Sequence, residues 1–249
     1  MQRWLVIPAY NEERALPRLL GRVAALGVVD GVLVVDDGSS DGTVACVEAW
    51  HDGPRAQVVR HGTNRGLGAA MRTALSAITA GPLADDDMVV TMDADDTHDP
   101  ALIPRMCAAA VEADVVVASR YCPGGREFGL AWHRKVLSRA ASAFLGLMRP
   151  VPGVRDYSCG FRAYRVRILR EAVARYGADG LVTTDGFACM AEILLRLHRL
   201  GARCVEVPLE LHYERKEGRS KMRIARTIRG YAQILRAVSP AEDILARQR

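Results

Sequence analysis

The sequence predicts an α/β domain with a mostly parallel sheet and helices on both of its faces. Two observations indicate this class. The first is that short segments alternate with longer amphipathic segments, and the second is that the short segments are fully apolar, as strands buried on both faces of a sheet are. The 249 residues, 49% hydrophobic and 25% charged, suit one globular domain of this kind.

Five strand candidates fall in the first half of the chain. They lie at residues 4–7, 32–35, 57–60, 88–92 and 115–118, and helical patterns at 13–24, 41–50, 67–79 and 100–112 separate them. In parallel sheets the ligand crevice lies outside the carboxyl ends of the strands. We therefore expect the functional residues where these strands end.

The pattern changes after residue 121. The segment Cys122-Pro123-Gly124-Gly125 predicts a loop, and a helix at 131–147, a strand near 161–164, helices at 165–175 and 186–199, and a strand at 204–207 follow. We divide the chain into a domain at 1–222 and a C-terminal amphipathic helix and tail at 223–249. The tail helix is predicted to have an apolar stripe opposite Arg226, Arg229 and Arg236. This stripe consists of Ile224, Ile228, Tyr231, Leu235 and Val238.

Composition excludes several classes of protein. The N-terminus leads directly into a strand pattern and no apolar run reaches the length of a membrane span, so we expect a cytoplasmic protein or one peripheral on the cytoplasmic membrane face. The six scattered cysteines indicate free thiols. A net charge of +5 is compatible with phosphate ligands or an anionic membrane, but nothing resembles a nucleic-acid-binding module.

The acidic loop Asp93-Ala94-Asp95-Asp96-Thr97 follows the fourth strand candidate. Alternation along the chain places the carboxylates of Asp93 and Asp95 on one side, where they repel each other unless a cation lies between them. Oxygen ligands of this kind favour Mg²⁺ or Mn²⁺. The same pattern also suits a helix cap or a phosphatase in which Asp93 is the nucleophile and Asp95 the general acid.

The other strand ends help to decide between these interpretations. Polar segments follow the first two strands, Pro8-Ala9-Tyr10-Asn11-Glu12 and Asp36-Asp37-Gly38-Ser39-Ser40-Asp41-Gly42-Thr43. Carboxylates at the mouth of the crevice suit a nucleobase or ribose hydroxyls. The segment Asn64-Arg65-Gly66-Leu67-Gly68 lacks the third glycine of the dinucleotide-binding fingerprint, which argues against a redox cofactor.

These segments together resemble family 2 of the glycosyltransferases, whose fold is GT-A, a Rossmann-like α/β fold that binds nucleotide sugars. They are similar in particular to polyprenyl (dolichyl) phosphate mannose and glucose synthases, and the similarity covers residues 4–222, which argues against the phosphatase. Further matching segments are Ser119-Arg120-Tyr121, residues 134–139, Ser158-Cys159-Gly160-Phe161-Arg162 and residues 218–221.

The resemblance implies an inverting enzyme with a nucleotide-sugar site and a metal site. The implied nucleotide-sugar site consists of Pro8, Tyr10, Glu12, Asp37, Asp93, Ala94, Arg215 and Lys221. Asp93 and Asp95 would bind Mg²⁺ or Mn²⁺, with Thr97 in the position of the third ligand. Relatives commonly have Gln there, and Asp96 or a water would compensate for the shorter hydroxyl. Glu214 also departs from the family, which usually has Asp.

The resemblance also implies a site for the acceptor. Arg120 would contact the sugar or phosphates. The helix with Arg134, Ser138 and Arg139 would be interfacial and would bind an acceptor phosphate, whereas its pattern alone equally suits an ordinary surface helix. Glu192 would bind sugar hydroxyls or form a salt bridge at the edge of the core.

The acceptor decides the chemistry. A lipid phosphate is already an anion and needs cations to position it, whereas a hydroxyl acceptor needs a general base, for which Asp185 precedes Glu192 as the candidate. The leading hypothesis is transfer of mannose, or secondly glucose, from GDP-mannose or UDP-glucose to polyprenyl phosphate. The alternatives are a soluble hydroxyl acceptor, such as a natural-product scaffold, and a non-catalytic nucleotide-sugar-binding subunit. The tail helix either docks on the core or contacts a membrane or a membrane subunit.

Overall fold

The computed structural model of the chain describes residues 1–217 and 224–237. Its strands are β1 (Arg3–Ala9), β2 (Gly31–Asp36), β3 (Arg55–Arg60), β4 (Met88–Thr91), β5 (Val115–Ser119), β6 (Arg126–Phe128), β7 (Arg162–Arg165), β8 (Cys204–Pro208) and β9 (Glu210–His212). Its α-helices are α1 (Leu16–Leu26), α2 (Thr43–Glu48), α3 (Leu67–Ala80), α4 (Ile103–Ala109), α5 (Trp132–Met148), α6 (Val166–Leu181), α7 (Cys189–Arg199) and α8 (Ile224–Ala237).

Seven strands form the central sheet in the order β3-β2-β1-β4-β7-β5-β8. All neighbouring pairs are parallel except those that involve β7. The residues of β2, β4 and β5 are buried throughout, as expected for strands that helices cover on both faces. The predicted α/β class and all seven predicted strands of this sheet are therefore confirmed.

The antiparallel strand β7 has a direct consequence for the site. Its first residue, Arg162, pairs with Thr91 at the end of β4 and with Val117 near the end of β5. Because β7 runs against its neighbours, the loop that precedes it, 156–161, arrives at the edge where the parallel strands end. The sequence pattern predicted this strand but not its direction.

Strands β6 and β9 form a separate two-stranded parallel sheet that the sequence pattern did not predict. Each strand has three residues, which is too few for a clear alternation of apolar and polar positions. The rings of Phe128 and His212 stack across the pair with their centroids 5.1 Å apart.

Two predicted helices differ in detail from the observed ones. The helix expected at 100–112 consists of a 3₁₀ turn at Pro100–Leu102, the short helix α4 and another 3₁₀ turn at Ala110–Glu112. Pro104 lies in the first turn of α4, where its missing N–H costs no hydrogen bond. Helix α6 extends beyond the predicted end at 175, across a break at Gly177, whose φ is 67°.

Helix α8 packs on α7 with a face that includes Tyr231 and Leu235 of the predicted stripe but not Ile228. Ile234 is fully buried and Tyr231 is half-buried against the core, whereas Ile228 is 55% exposed. The contact is close because Gly230 has no side chain; a Cβ there would lie 2.6 Å from the Cβ of Ala188. Val238 lies outside the described residues, as do the side chains of Ile224 and Arg226. Within residues 1–217 and 224–237, no helix has the length and apolar character needed to cross a bilayer.

Candidate active site

The acidic loop leaves β4 at the edge of the sheet where β1, β2 and β5 also end. Asp95 is 8% exposed, and Asp93 lies against the loop before β7, where a Cβ on Gly160 would be 3.1 Å from its Oδ1. The hydroxyl of Thr91 donates a 2.7 Å hydrogen bond to the carbonyl of Gly160, which fixes this loop beside the carboxylate. Burial raises the pKa of Asp93 above its usual value.

Both oxygens of the Asp95 carboxylate have partners. The hydroxyl of Thr97 donates to Oδ1 at 2.7 Å, and the ammonium of Lys216 pairs with Oδ2. Burial opposes the ionised form, but Lys216 and the Thr97 hydroxyl together hold the pKa of Asp95 below its usual value. Thr97, the predicted third metal ligand, therefore orients the carboxylate of Asp95 in this structure.

The side chain of Asp96 points to helix α1 and pairs there with an arginine. Its backbone is left-handed, with φ 59°, and its carboxylate forms an ion pair of 2.7 Å with Arg22 of α1. Arg18 of the same helix lies 3.8 Å away. In this structure α1 holds the Asp96 carboxylate, which does not contact the ligand position of Thr97.

The chemistry of the donor atoms fits a divalent cation that keeps open coordination positions. Among the described residues, no three His, Cys, Asp or Glu side chains form a metal cluster, so the protein would contribute the two carboxylates of Asp93 and Asp95. Mg²⁺ characteristically binds through one or two carboxylates plus substrate phosphates. His98 is 3% exposed beside this pair, and its Nδ1 has no hydrogen-bond partner in the described part of the chain.

The predicted nucleoside residues of β1 and its following loop lie beside β2. Pro8 is opposite Val35 in the parallel register. The loop is held by hydrogen bonds from the Asn11 amide to the Ser39 hydroxyl, at 2.8 Å, and from the Glu12 amide to the Thr43 hydroxyl, at 2.8 Å. Tyr10 and Glu12 are thereby positioned at the carboxyl end of β1, beside the loop that follows β2.

Asp37 stabilises the neighbouring loop. Its carboxylate accepts hydrogen bonds from the amides of Arg65 and Gly66 at 3.0 and 2.7 Å, and His61 lies 2.7 Å away. The glycines of the Gly-x-Gly segment permit close packing, since a Cβ on Gly68 would lie 1.8 Å from the carbonyl oxygen of Thr184. These contacts explain the segment without a dinucleotide.

Arg120, at the end of β5, is held by Asp156, which is fully buried. The carboxylate accepts hydrogen bonds from Nε and Nη2 at 2.7 and 2.8 Å, and Nη2 also donates to Ser158 at 2.7 Å. Burial opposes its ionised form, but Arg120 lowers the pKa of Asp156. The sequence indicated Arg120 but not Asp156, whose partner is distant along the chain.

The polar side of α5 faces the site. The Tyr121 hydroxyl donates to Ser138 at 2.8 Å, and Ser138 lies 3.3 Å from Ser158. Arg134 donates to the Tyr213 hydroxyl at 3.0 Å, and Arg139 lies over the Tyr121 ring at 5.4 Å. The three predicted acceptor residues are therefore brought to one side of the crevice, connected to Arg120 through Ser158.

The opposite side of α5 is apolar and faces solvent. It carries five exposed apolar side chains: Trp132, Val136, Phe144, Leu147 and Met148. Most amphipathic helices of soluble domains bury their apolar stripe. This inverted arrangement favours the interfacial helix over the ordinary surface helix.

The two candidate general bases are engaged in other contacts. Glu192 is fully buried and accepts hydrogen bonds from the amides of Thr183 and Thr184, at 2.9 and 3.0 Å, with Arg196 3.3 Å away. It thus forms the salt bridge that was the alternative interpretation. Asp185 forms an ion pair of 3.1 Å with Arg72 of α3.

The segment 213–217 approaches the site from the opposite side. A 3₁₀ turn at Tyr213–Arg215 brings Lys216 to Asp95, and the amide of His212 donates to the carbonyl of Thr97 at 3.0 Å. Arg215 is half-buried in this turn. Lys221, the other predicted donor residue of this segment, lies outside the described residues.

The chain is similar to known proteins in sequence and in fold. The model of the family described as Glycosyl transferase family 2 matches residues 4–173. The chain is 37% identical over 219 residues to undecaprenyl-phosphate mannosyltransferase of Micrococcus luteus, covering 87% of this chain and 86% of that protein. It is also 37% identical over 225 residues to polyprenol monophosphomannose synthase of Mycolicibacterium smegmatis, covering 89% and 81%.

A solved structure shares the fold. Glucosyl-3-phosphoglycerate synthase of Mycobacterium tuberculosis, in complex with Mn²⁺, UDP and glucosyl-3-phosphoglycerate, superposes with a TM-score of 0.62 at 20% identity. The match covers 95% of this chain and 78% of that one.

Proposed function

The chain belongs to glycosyl transferase family 2, and from that premise we propose that it transfers mannose from a nucleoside diphosphate sugar to polyprenyl phosphate. Its two relatives at 37% identity are named for mannosyl transfer to such lipids or for synthesis of the product. The observation that carries the proposal is the pairing of Asp93 and Asp95 with a cationic helix across one crevice. Contacts from Asp95 through Lys216 and Tyr213 to Arg134 connect the two sides.

On the donor side, Asp93 and Asp95 would hold a divalent cation. Bound Mg²⁺ or Mn²⁺ would neutralise the diphosphate that leaves with the nucleoside. Tyr10 and Glu12 lie at the same edge and are suited to the nucleoside, while Asp37 supports the loop beside it. The donor we propose is GDP-mannose, with UDP-glucose as the second choice.

On the acceptor side, the chain would position an anion. An oxygen of the lipid phosphate attacks the anomeric carbon, the bond from that carbon to the diphosphate breaks, and the configuration inverts. The nucleophile is already charged, so the residues that matter are cations that hold it in line. Arg134 and Arg139 serve this purpose, with Ser138 as a hydrogen-bond donor.

Asp156 has an indirect part in this arrangement. It accepts hydrogen bonds from Nε and Nη2 of Arg120, and Nη2 also donates to Ser158, so Arg120 fixes Ser158 and, through it, Ser138. A buried pair of this kind holds its geometry well, which suits a residue that supports the acceptor helix.

The lipid acceptor requires contact with a membrane, and α5 offers the surface for it. Its apolar side chains face solvent, while Arg134 donates to Tyr213 and the exposed Arg139 lies over the Tyr121 ring. Insertion of the apolar face into a leaflet would place the lipid phosphate near these cations. We propose peripheral attachment to the cytoplasmic membrane face through α5.

A soluble hydroxyl acceptor is less well supported. It needs a general base, and Glu192 has no exposed oxygen, while Asp185 pairs with Arg72. A non-catalytic nucleotide-sugar-binding subunit would not need the acceptor residues that α5 presents.

The test uses purified protein with Mn²⁺ or Mg²⁺, labelled GDP-mannose or UDP-glucose, and a short polyprenyl phosphate in detergent. Labelled lipid that is lost in Asp95→Asn and in Arg134→Gln supports the proposal. Release of nucleoside diphosphate that requires an added alcohol instead of the lipid phosphate would establish the hydroxyl acceptor. Absence of any donor binding, measured by calorimetry, would contradict both enzymatic functions.

A further inference from the structure

Lys216 forms an ion pair with Asp95 at the centre of the site. The side chains of Lys216 and Asp95 are each 12% exposed, so water screens this pair much less than a surface pair. The carboxylates of Asp93 and Glu12 also act on the ammonium. Lys216 therefore lies near three carboxylates, those of Asp95, Asp93 and Glu12, and the first two belong to the proposed metal ligands.

The ammonium and a divalent cation require the same oxygen. Oδ1 of Asp95 accepts the hydroxyl of Thr97, and Oδ2 holds Lys216. A cation bound between Asp93 and Asp95 would stand within a few ångströms of the ammonium, and like charges this close in a half-buried site repel strongly. The ammonium of Lys216 and the divalent cation therefore cannot both bind the carboxylate of Asp95 tightly.

The displaced ammonium has a new partner close by. The backbone on its N-terminal side is anchored, since the amide of His212 donates to the carbonyl of Thr97, so Lys216 remains near the acidic loop. A metal-bound nucleoside diphosphate brings negative charge to this place. An ammonium is a suitable ligand for it as a point charge.

We infer that Lys216 competes with the divalent cation for Asp95 and, when displaced, binds the diphosphate of the donor. This inference rests on the proposed function, because it takes Asp93 and Asp95 as the metal site. It adds a donor-binding residue to that site and explains how one carboxylate remains neutralised until metal and donor arrive. The ring centroid of Tyr213 lies 5.8 Å from the Lys216 ammonium, and its hydroxyl accepts a hydrogen bond from Arg134. Displacement of Lys216 would therefore alter the surroundings of Arg134 on α5.

The test is a pair of affinities that move in opposite directions in Lys216→Met. Without nucleotide, Mn²⁺ should bind about tenfold more tightly, because its competitor is gone; this corresponds to about 1.4 kcal/mol. With saturating Mn²⁺, GDP or UDP should bind about tenfold more weakly, because the ammonium no longer meets the diphosphate. Electron paramagnetic resonance of free Mn²⁺ gives the first affinity and calorimetry gives the second.

A purely structural role for Lys216 would weaken both affinities together, and this result would overturn the inference, as would an unchanged affinity for Mn²⁺. Lys216→Arg keeps the charge and should resemble the unmodified protein in both measurements. Arg203→Met removes one positive charge from an exposed ion pair with Glu112 and should change neither affinity.

The same experiment separates this inference from the proposed function. If Asp95→Asn binds Mn²⁺ as well as the unmodified protein does, the metal site itself is wrong. If Asp95→Asn loses Mn²⁺ but Lys216→Met leaves its affinity unchanged, the metal site stands and the competition by Lys216 is disproved.

Discussion

Gly160 leaves space for the carboxylate of Asp93, one of the two proposed metal ligands. It lies in the loop before the antiparallel strand β7, and any side chain there would approach Oδ1 of Asp93. The adjacent bond from Thr91 to its carbonyl prevents this loop from moving away freely. A side chain at position 160 would therefore press on the Asp93 carboxylate, which we propose as a metal ligand.

Replacing Gly160 by Ala should therefore weaken the binding of Mn²⁺ by about tenfold, as loss of outer support does at other metal sites. The affinity can be measured by electron paramagnetic resonance. Gly21→Ala is the matched control, because a Cβ at Gly21 of α1 meets nothing within 4 Å, and it should leave the affinity unchanged. Equal affinities in both variants would show that Gly160 does not constrain Asp93.

Asp156 is the carboxylate that holds the buried guanidinium of Arg120 in place. Asp156→Asn removes the carboxylate that accepts two hydrogen bonds from the buried guanidinium and leaves only Glu127, 3.5 Å away, as its counter-ion. The change should cost about 3 kcal/mol of unfolding free energy at pH 7. Arg167→Gln, which breaks an exposed pair with Asp114, should cost less than about 1 kcal/mol. Urea unfolding measures both, and a similar small loss in each would contradict the role of Asp156.

The sign of the pH dependence follows from the lowered pKa of Asp156. Arg120 holds this pKa below 3.8, so the stabilisation is present above the unfolded-state value and is lost as the pH falls through the folded-state value. The difference in stability between the unmodified protein and Asp156→Asn should thus be constant above about pH 5 and shrink below about pH 4. A difference that grows in acid would have the wrong sign.

At the scale of elements, α5 is the helix whose orientation carries functional meaning. Its sequence has both cations and apolar residues, and only the packing shows that Arg134 contacts the site while five apolar side chains face solvent. Burial of exposed leucine or phenylalanine side chains in a membrane is worth about 1.5–3 kcal/mol each. The five exposed apolar side chains of α5 therefore suffice for reversible attachment.

Leu147→Glu should reduce binding to vesicles that contain anionic lipid, as measured by flotation. The change places a charge on the solvent-facing apolar side of α5, which we propose inserts into the membrane. Leu147 is 81% exposed, so the fold should not change. Val111→Glu alters an equally exposed apolar residue, 76% exposed, at a distant 3₁₀ turn and should bind vesicles normally. If both variants float as the unmodified protein does, α5 is not the attachment surface.

Helix α8 is held by a close helix–helix contact. Gly230→Ala should destabilise the protein by about 1–3 kcal/mol, because the new methyl group overlaps Ala188 of α7. Gly180→Ala of α6 meets only the Cβ of Tyr176 at 3.6 Å and should be neutral or stabilising. Thermal unfolding compares the two, and a neutral Gly230→Ala would show that α8 does not pack closely on α7.

At the scale of the whole molecule, the site exists only in the folded chain. Its residues come from the ends of β1, β4 and β5, from α5 and from the 213–217 segment, which are distant along the chain. Mn²⁺ with GDP, at about 100 times the dissociation constant, should therefore stabilise the protein by about 2.7 kcal/mol, since the unfolded chain does not bind them. Calorimetric unfolding of Asp95→Asn should show no such gain; a gain there would place the ligands elsewhere.

The sequence by itself determined the fold class, the seven strands of the main sheet and the family. A run of apolar residues predicts a strand that is buried on both faces of a sheet, and this pattern lies within a few consecutive residues. The same is true of the acidic loop Asp93-Ala94-Asp95. The residues predicted for the site follow mainly from the resemblance of whole segments, and their roles stay predictions. Strands as short as β6 and β9 were missed because three residues carry too little pattern.

Only the tertiary structure decided which charged groups meet. In the folded chain Asp96 pairs with Arg22 of α1, and Asp156 pairs with Arg120. Glu192 forms a buried salt bridge, and Lys216 pairs with Asp95. The tertiary structure also determined the antiparallel direction of β7, the outward apolar face of α5 and the inward face of α8. The physical reason is common to all of these: each depends on a partner far along the chain, and local periodicity shows that a side chain is buried or charged but not which group it contacts.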